Sequence, residues 1–353
     1  MMNLDLEELS AWHGTGGDRS SVLDRVSIAL ASGALGAVLG PSGSGKTTLL
    51  RTIAGLHRDA SGVIRLGGHR LDGLPPERRQ VGLVPQDGAL FPHLTVAENI
   101  DFGLPRTERR GRRTADMLAL LGLTPFAKRL PHELSGGQAQ RVAVARALAP
   151  APRLVLLDEP FSALDATLRA EVADGVRAAL DETRTTALLV THDQGEALSV
   201  ATQLVVLAEG RVRQTGIPSE VYAMPADLWT GRFIGDANVL DGESDGAVTL
   251  TPLGALPHDL GVPGPVSVLV RPEQLRLTAT AHTSARVGAS GLARLTRYFG
   301  HDGLTEIALD SGEVVLARLG PDAFPAPGAR VAVTVDGAVR VFPRHHQSYP
   351  PER

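Results

Sequence analysis

The sequence predicts an α/β domain built on a mainly parallel sheet, followed by a smaller all-β domain. Three observations carry this. Up to about residue 235, short fully apolar runs alternate with segments of helical pattern, as expected for parallel strands covered on both faces. From about residue 236, the chain turns into short β-rich runs separated by Gly, Pro and Asp, which reads as a small barrel or sandwich. The length of 353 residues accommodates two such domains.

The elements follow in order. Ala34-Leu35-Gly36-Ala37-Val38-Leu39 is a buried-strand run, and 47–54 has a helical pattern directly after a Gly-rich loop. Residues 106–113 are dense in charge and read as a loop or a solvated helix start. Helices are expected over 138–148, 167–180 and 194–201. Strands are expected at Leu154-Val155-Leu156-Leu157 and Ala187-Leu188-Leu189-Val190. In the second domain, strands are expected over 265–270, 313–317 and 330–335, with Asp336-Gly337 as a hairpin turn. No internal repeat or low-complexity tract is visible.

Composition excludes several function classes. The hydrophobic fraction of 43% suffices for a sizeable core, and a net charge of -4 does not suit a nucleic-acid surface. With no cysteine, disulfides and thiolate metal sites are ruled out, which suits a reducing compartment. The acidic start Met1-Met2-Asn3-Leu4-Asp5-Leu6-Glu7-Glu8 is unlike a secretory leader. No apolar run reaches the roughly 18 residues of a membrane helix, so a soluble chain is expected.

Of the 35 Lys+Arg residues only Lys46 and Lys128 are lysine. Lys46 falls in Gly40-Pro41-Ser42-Gly43-Ser44-Gly45-Lys46-Thr47, a G-x-x-x-x-G-K-[ST] loop between a strand and a helix. A compact ammonium on a thin stem fits inside a loop wrapped around phosphates, where a guanidinium fork would not. The glycines turn N–H groups inward, Lys46 reaches the β/γ oxygens, the Thr47 hydroxyl ligates Mg²⁺, and the helix N-terminus adds partial positive charge. Leu154-Val155-Leu156-Leu157-Asp158-Glu159 delivers two carboxylates at a strand's C-terminal end, where ligands bind in such sheets. Asp158 is placed to hold Mg²⁺ and Glu159 to take a proton from an attacking water. Leu134-Ser135-Gly136-Gly137-Gln138 opens a helix, either as an anion cradle or as a Ser135 N-cap. Thr191-His192-Asp193 ends the next apolar strand. Adjacent His345-His346 near the end could be a metal pair, but an exposed polar tail is the simpler reading.

As an ordered set these motifs resemble the nucleotide-binding subunits of ATP-binding-cassette (ABC) transporters. The set comprises the loop at 40–47 with Thr48 after it, Gln86 in Val84-Pro85-Gln86, 134–138, Asp158-Glu159, Ser162-Ala163-Leu164-Asp165, and His192. The resemblance implies a cassette over 1–235, with a helical subdomain at about 88–150, and a small OB-like β-barrel accessory domain of the TOBE type over 236–353. It implies that Gln86 ligates Mg²⁺ and senses the γ-phosphate, that His192 contacts that phosphate, and that Trp12 stacks on adenine. It also implies that 134–138 closes over ATP held by a second copy, with Ser162 and Asp165 connecting the two sites. Glu159, His192 and Lys46 would then be the catalytic set. Two membrane-spanning permease subunits would dock near Gln86-Leu94, served indirectly by an extracytoplasmic solute-binding protein, and the chain would sit peripherally on the cytoplasmic face of the membrane. Val270-Arg271-Pro272-Glu273 resembles the accessory domain of importer ATPases for maltose, polyamine, sulfate and ferric iron. The stretch 88–100 resembles this group too, and the junction 233–240 is most similar to ferric-iron members. Polyamine, sulfate, thiamine and sugar import stay open as cargo. A soluble non-transport cassette ATPase fits less well, since this chain has one cassette and no long coiled-coil insertion. A binding-only regulator is disfavoured by the intact Glu159 and His192.

Overall fold

A computed structural model describes residues 2–14, 19–258, 261, 263–279 and 288–344. His345-His346 lies outside the described residues. The chain divides into two compact units, Met1–Val221 and Tyr222–Arg353.

The first unit holds two sheets. β1 (Leu4–His13) and β2 (Ser20–Leu30) pair antiparallel, with β4 (Ala60–Leu66) and β5 (His69–Arg70) on the other side of β1. The second sheet has six strands: β3 (Leu35–Leu39), β6 (Val81–Val84), β7 (Leu154–Asp158), β8 (Thr186–Thr191), β9 (Gln203–Ala208) and β10 (Arg211–Gly216). Their spatial order is β10-β9-β3-β8-β7-β6. All neighbours run parallel except the edge strand β10, which returns from β9 as a hairpin. Every residue of β3 and β8 is buried, which is why both strands read as unbroken apolar runs.

Helix α1 (Lys46–Ala54) follows β3, and its Leu49, Leu50 and Ile53 are fully buried. They join leucines of β1, β2 and β4 on one side and Val38, Leu156, Leu188 and Val205 on the other in one core. Each full burial of such a side chain contributes about 1.5–3 kcal/mol. Between β6 and β7 the described residues are helices and turns, with α2 (Val96–Asp101), α3 (Arg112–Leu120) and α4 (Gly136–Leu148). The charged stretch at 106–111 is turn, and α3 starts at Arg112. Arg113 then donates to the carbonyls of Leu148 and Ala149 and so closes the end of α4. Helices α5 (Ala166–Thr183) and α6 (Gln194–Val200) complete the unit, and α7 (Pro218–Ala223) carries its boundary.

In the second unit α8 (Leu228–Phe233) precedes two five-stranded antiparallel sheets. One has the order β13-β12-β11-β14-β20, built from β11 (Asn238–Asp245), β12 (Val248–Thr251), β13 (Gly254–Pro257), β14 (Pro263–Val270) and β20 (Arg340–Pro343). The other has the order β15-β19-β16-β17-β18, built from β15 (Leu275–Ala279), β16 (Ala289–Tyr298), β17 (Gly303–Leu309), β18 (Val314–Leu319) and β19 (Arg330–Val335). Both sheets feed one apolar core. Asp336-Gly337 is not a hairpin turn: the strand before it pairs with β15 and β16, and the strand after it pairs with β14 in the other sheet. The Gln274 side-chain amide donates to the carbonyls of Asp336 and Ala338 and holds the crossing. A two-residue turn signal cannot distinguish a hairpin from a change of sheet. Arg271, the first residue of the Arg-Pro-Glu motif, is buried. It donates to the carbonyls of Tyr222, Gly231, Gly235 and Asp236, and its guanidinium lies 4.1 Å from the centre of the Tyr222 ring.

Candidate active site

Four parallel neighbours, β3, β8, β7 and β6, send the loops after their C-terminal ends to one edge of the sheet. Those loops carry the 40–45 segment, His192, Glu159 with Ser162, and Gln86 respectively.

The loop after β3 is shaped to receive an anion. Gly45 has φ 101°, and a Cβ there would meet the Val22 carbonyl at 2.9 Å. Among the described residues, five helices have a side chain accepting from their first turn (Thr95, Ser135, Asp165, Asp193 and Asp227), but α1 has no such cap and no acidic residue in its first turn. Its first N–H groups and dipole are therefore left for a ligand. Among the described residues the buried Ser44 hydroxyl has no hydrogen-bond partner, so it is a second group that a bound phosphate could satisfy. Lys46 is buried, and its Nζ donates to the carbonyls of Gly40 (2.8 Å) and Pro41 (2.9 Å), so two of its three protons brace the loop itself. Burial lowers its pKa, while Glu159 and Asp158 pull it back up.

Thr47 Oγ1 donates to Asp158 Oδ1 at 3.1 Å, which brings together a hydroxyl and a carboxylate 111 positions apart. Burial pushes the Asp158 carboxyl above its ordinary range, with Thr47 opposing. A group of hydroxyl, carboxylate and amide oxygens suits Mg²⁺, a hard cation. Gln86, the amide candidate, points its Nε2 at Glu159 Oε2 (3.5 Å) and Ser162 Oγ (3.4 Å).

Glu159 sits at the exit of β7 with φ 44°, a left-handed conformation rare for a residue with a side chain. Its N–H donates to the Val190 carbonyl, and its carbonyl accepts from the Ser162 N–H and hydroxyl. His192 Nδ1 lies 3.0 Å from its Oε2. Among the described residues Oε1 makes no hydrogen bond. One carboxylate oxygen is thus oriented by its neighbours and the other is left for chemistry.

Two predicted groups stand apart. Among the described residues no hydrogen bond joins 134–138 to 40–48. Ser135 is exposed and caps α4: Ser135 Oγ accepts from Gln138 N–H, and Gln138 Oε1 accepts from Ser135 N–H. The capping reading and the anion-cradle reading therefore describe the same residues. A Cβ on Gly137 would meet Leu168 of α5 at 2.9 Å, so this glycine is also needed for packing. Trp12 is the penultimate residue of β1, beside His13, whose Nε2 lies 3.2 Å from Thr48 Oγ1 in α1. Its ring carries the Arg19 guanidinium 4.1 Å from the centroid, with Asp59 holding that arginine.

Sequence reasoning passed over the residues that shape the loops. Asn99, fully buried in α2, accepts from the Phe91 N–H and donates to the carbonyls of Phe91, Leu94 and Thr95. Arg146 donates to the carbonyls of Gly88 and Ala89. Together they fix the 88–95 segment, which presents Phe91 tilted against an exposed Phe102, ring centres 4.1 Å apart. Arg169 and Asp193 form an ion pair between the starts of α5 and α6. A polar residue inside or at the end of a helical pattern gives no sequence signal of the carbonyl it will meet.

A model of the ABC transporter family matches residues 23–162, and one of the TOBE domain matches 268–342. The chain is 46% identical over 329 residues to the Fe(3+) ions import ATP-binding protein FbpC 3 of Rhodococcus jostii, covering 90% of this chain and 93% of that protein. It is 48% identical over 279 residues to FbpC of Pseudomonas fluorescens, covering 77% and 78%. It is 44% identical over 336 residues to the sulfate/thiosulfate import ATP-binding protein CysA of Burkholderia pseudomallei, covering 92% and 95%. Among solved structures, the ATP-binding cassette MJ0796 in a dimeric post-hydrolysis state bound to ADP and Pi aligns with TM-score 0.54 at 30% identity. That match covers 61% of this chain and 98% of that one.

Proposed function

This chain belongs to the ABC transporter family as an import ATPase with a TOBE tail, and from that premise we propose that it drives ferric-iron import as a head-to-tail homodimer. The observation that carries the cargo is the similarity to Fe(3+) import ATP-binding proteins, which runs through both units rather than the cassette alone. Cargo is selected by other subunits, and CysA of Burkholderia pseudomallei is 44% identical over the same span, so sulfate is the second reading.

In the proposed cycle the N–H groups at the start of α1 and the Lys46 ammonium bind the ATP phosphates. Trp12 receives the adenine. Thr47, Asp158 and Gln86 would hold Mg²⁺, which when bound offsets phosphate charge. Glu159 Oε1 takes the proton of the attacking water, while Gln86 and His192 hold Oε2 and so aim the carboxylate. Ser135, Gly136, Gly137 and Gln138, at the start of α4 where Ser135 and Gly136 are exposed, close over nucleotide held by the second copy, with Ser162 and Asp165 between the two sites. The 86–94 segment docks the permease subunits, its shape kept by Asn99 and Arg146. No helix among the described residues is long and apolar enough to cross a membrane. In the proposed complex the permease subunits supply the spans, and this chain sits peripherally on the cytoplasmic face.

The test is uptake of labelled Fe³⁺, sulfate, putrescine and maltose in cells lacking the gene. Loss of iron uptake alone is expected, restored by the wild-type gene and not by Glu159→Gln. Removing a positioned base costs about 10²–10⁴ in rate. Intact iron uptake with loss of another solute would overturn the cargo, and complementation by Glu159→Gln would overturn the role of Glu159.

A further inference from the structure

We propose that Arg169 is a positioning residue that ties His192 to the Ser162–Asp165 loop, so that the histidine is set only when that loop is in place. The inference rests on the roles of His192 and of that loop argued above.

Arg169 lies in the first turn of α5, where its own N–H donates to the Asp165 carbonyl at 2.8 Å. Its guanidinium then forks. One nitrogen donates to the Leu164 carbonyl at 3.0 Å, inside the loop, and the other to Asp193 Oδ2 at 2.7 Å, one residue past His192. Two N–H groups on one rigid plane fix the spacing of their acceptors, which a lysine could not do.

The histidine's turn is also held from α6. Asp193 Oδ1 caps that helix by accepting from the Glu196 N–H at 2.9 Å. Thr191 Oγ1 accepts from the Asp193 N–H at 3.0 Å and donates to the buried Glu196 Oε2 at 2.7 Å. Residues 191 and 193 are thus pinned on both sides of His192, whose half-exposed ring reaches Glu159. The Asp193 carboxylate is the joint, with one oxygen serving α6 and the other serving Arg169. A shift of the loop carries the Leu164 carbonyl, the fork and Asp193 with it, and changes the distance from His192 to Glu159. The Arg169–Asp193 pair is about one-third exposed on each side, so it is worth little as a stability device.

The test is steady-state ATPase of the full-length chain. Asp193→Asn keeps a good N-cap and removes the anionic partner of Arg169. Arg169→Lys keeps the charge and removes the fork. Each is expected to lower kcat by about tenfold, the usual cost of a lost charge-assisted hydrogen bond, with KM for ATP within about twofold and an unchanged melting temperature. In a His192→Ala background neither should lower kcat further, because the effect runs through the histidine. Wild-type kcat in both variants, where His192→Ala alone is impaired, overturns the proposal and leaves the role of His192 standing. An equal fall in both backgrounds, or a fall in melting temperature with lost ATP binding, overturns it too. Full kcat in His192→Ala itself would sink the underlying reading, and the proposal with it.

Discussion

Glu159 occupies a backbone conformation that costs a side-chain-bearing residue on the order of 1–2 kcal/mol, and three hydrogen bonds to its own main chain hold it there. The strain turns its carboxylate off the strand and toward Gln86 and His192. Behind it, Glu196 is only 6% exposed and titrates at about 7, raised first by burial and further by Asp193 and Glu159, with Thr191 and Arg169 opposing. The consequence for stability has a definite sign. In the unfolded chain this carboxyl loses its proton near 4.5, and in the folded chain near 7, so folding retains a proton across that window. Its contribution is therefore most favourable below about pH 4.5 and is lost as pH rises to about 7. Glu196→Gln is neutral at every pH and can still accept from Thr191. It should match wild type near pH 5 and be more stable at pH 8, by on the order of 2–3 kcal/mol, in urea unfolding at both pH values. Equal midpoints at pH 8 would mean that Glu196 is neutralised by a group other than those named.

Each element that carries a candidate nucleotide-site residue offers it from a helix start or a strand end, and the helix starts divide by capping. Helix α1 lacks a side-chain cap, whereas α4 has a complete capping box at Ser135 and Gln138, exposed and far along the chain from the 40–47 loop. If the start of α4 serves the second copy, lesions should complement. Lys46→Ala and Ser135→Arg homodimers each carry a defect in both composite sites and should be inactive. A mixed dimer carries both defects in one site and none in the other. Mixing the two inactive chains in equal amounts should restore roughly a quarter of wild-type turnover, from half of the dimers with one of two sites intact. No recovery in a mixture shown to contain the heterodimer would place Ser135 on its own subunit's nucleotide. The elements were unevenly legible. Strands β3, β7 and β8 read directly from sequence because both faces are covered, and Asp158 at the end of β7, with Glu159 and His192 just past the ends of β7 and β8, could be located from them. The strands β1, β2 and β4 mix apolar and charged residues around a bulge at Glu8 and carry no clean period, so the antiparallel sheet went unread. Asp336-Gly337 failed for a different reason, since local turn chemistry does not state which sheet the next strand will join. The arginines that shape the site, Arg146 and Arg169, were invisible because their acceptors are carbonyls and a carboxylate remote in sequence or set by tertiary packing.

At the scale of the whole molecule, two apolar cores account for the two units, one formed by residues between Leu4 and Val212 and the other by residues between Leu240 and Val341. Every residue of the candidate site lies in the first. The chain between the cores is not neutral ground. Val221, in α7, is fully buried, whereas Leu228 of α8 packs with Leu269 and Phe342 of the tail, and Arg271 takes the carbonyls of Gly231 and Gly235. A cut near residue 240 would therefore strip α8 of its cover and leave Leu228 and the Trp229–Phe233 stack on the truncated protein. A cut after Ala223 keeps Val221 and removes α8 together with the strands it packs on. The shorter protein, ending at Ala223, should fold and bind ATP with affinity within a few-fold of the full chain, because the N–H groups of α1, Lys46 and the Thr47–Asp158 pair all remain. The longer one, ending at 240, should be the more aggregation-prone of the two, through its exposed apolar surface. Nucleotide titration and light scattering on both decide the matter. A folded protein ending at Ala223 that no longer binds ATP would show that the tail completes the nucleotide site.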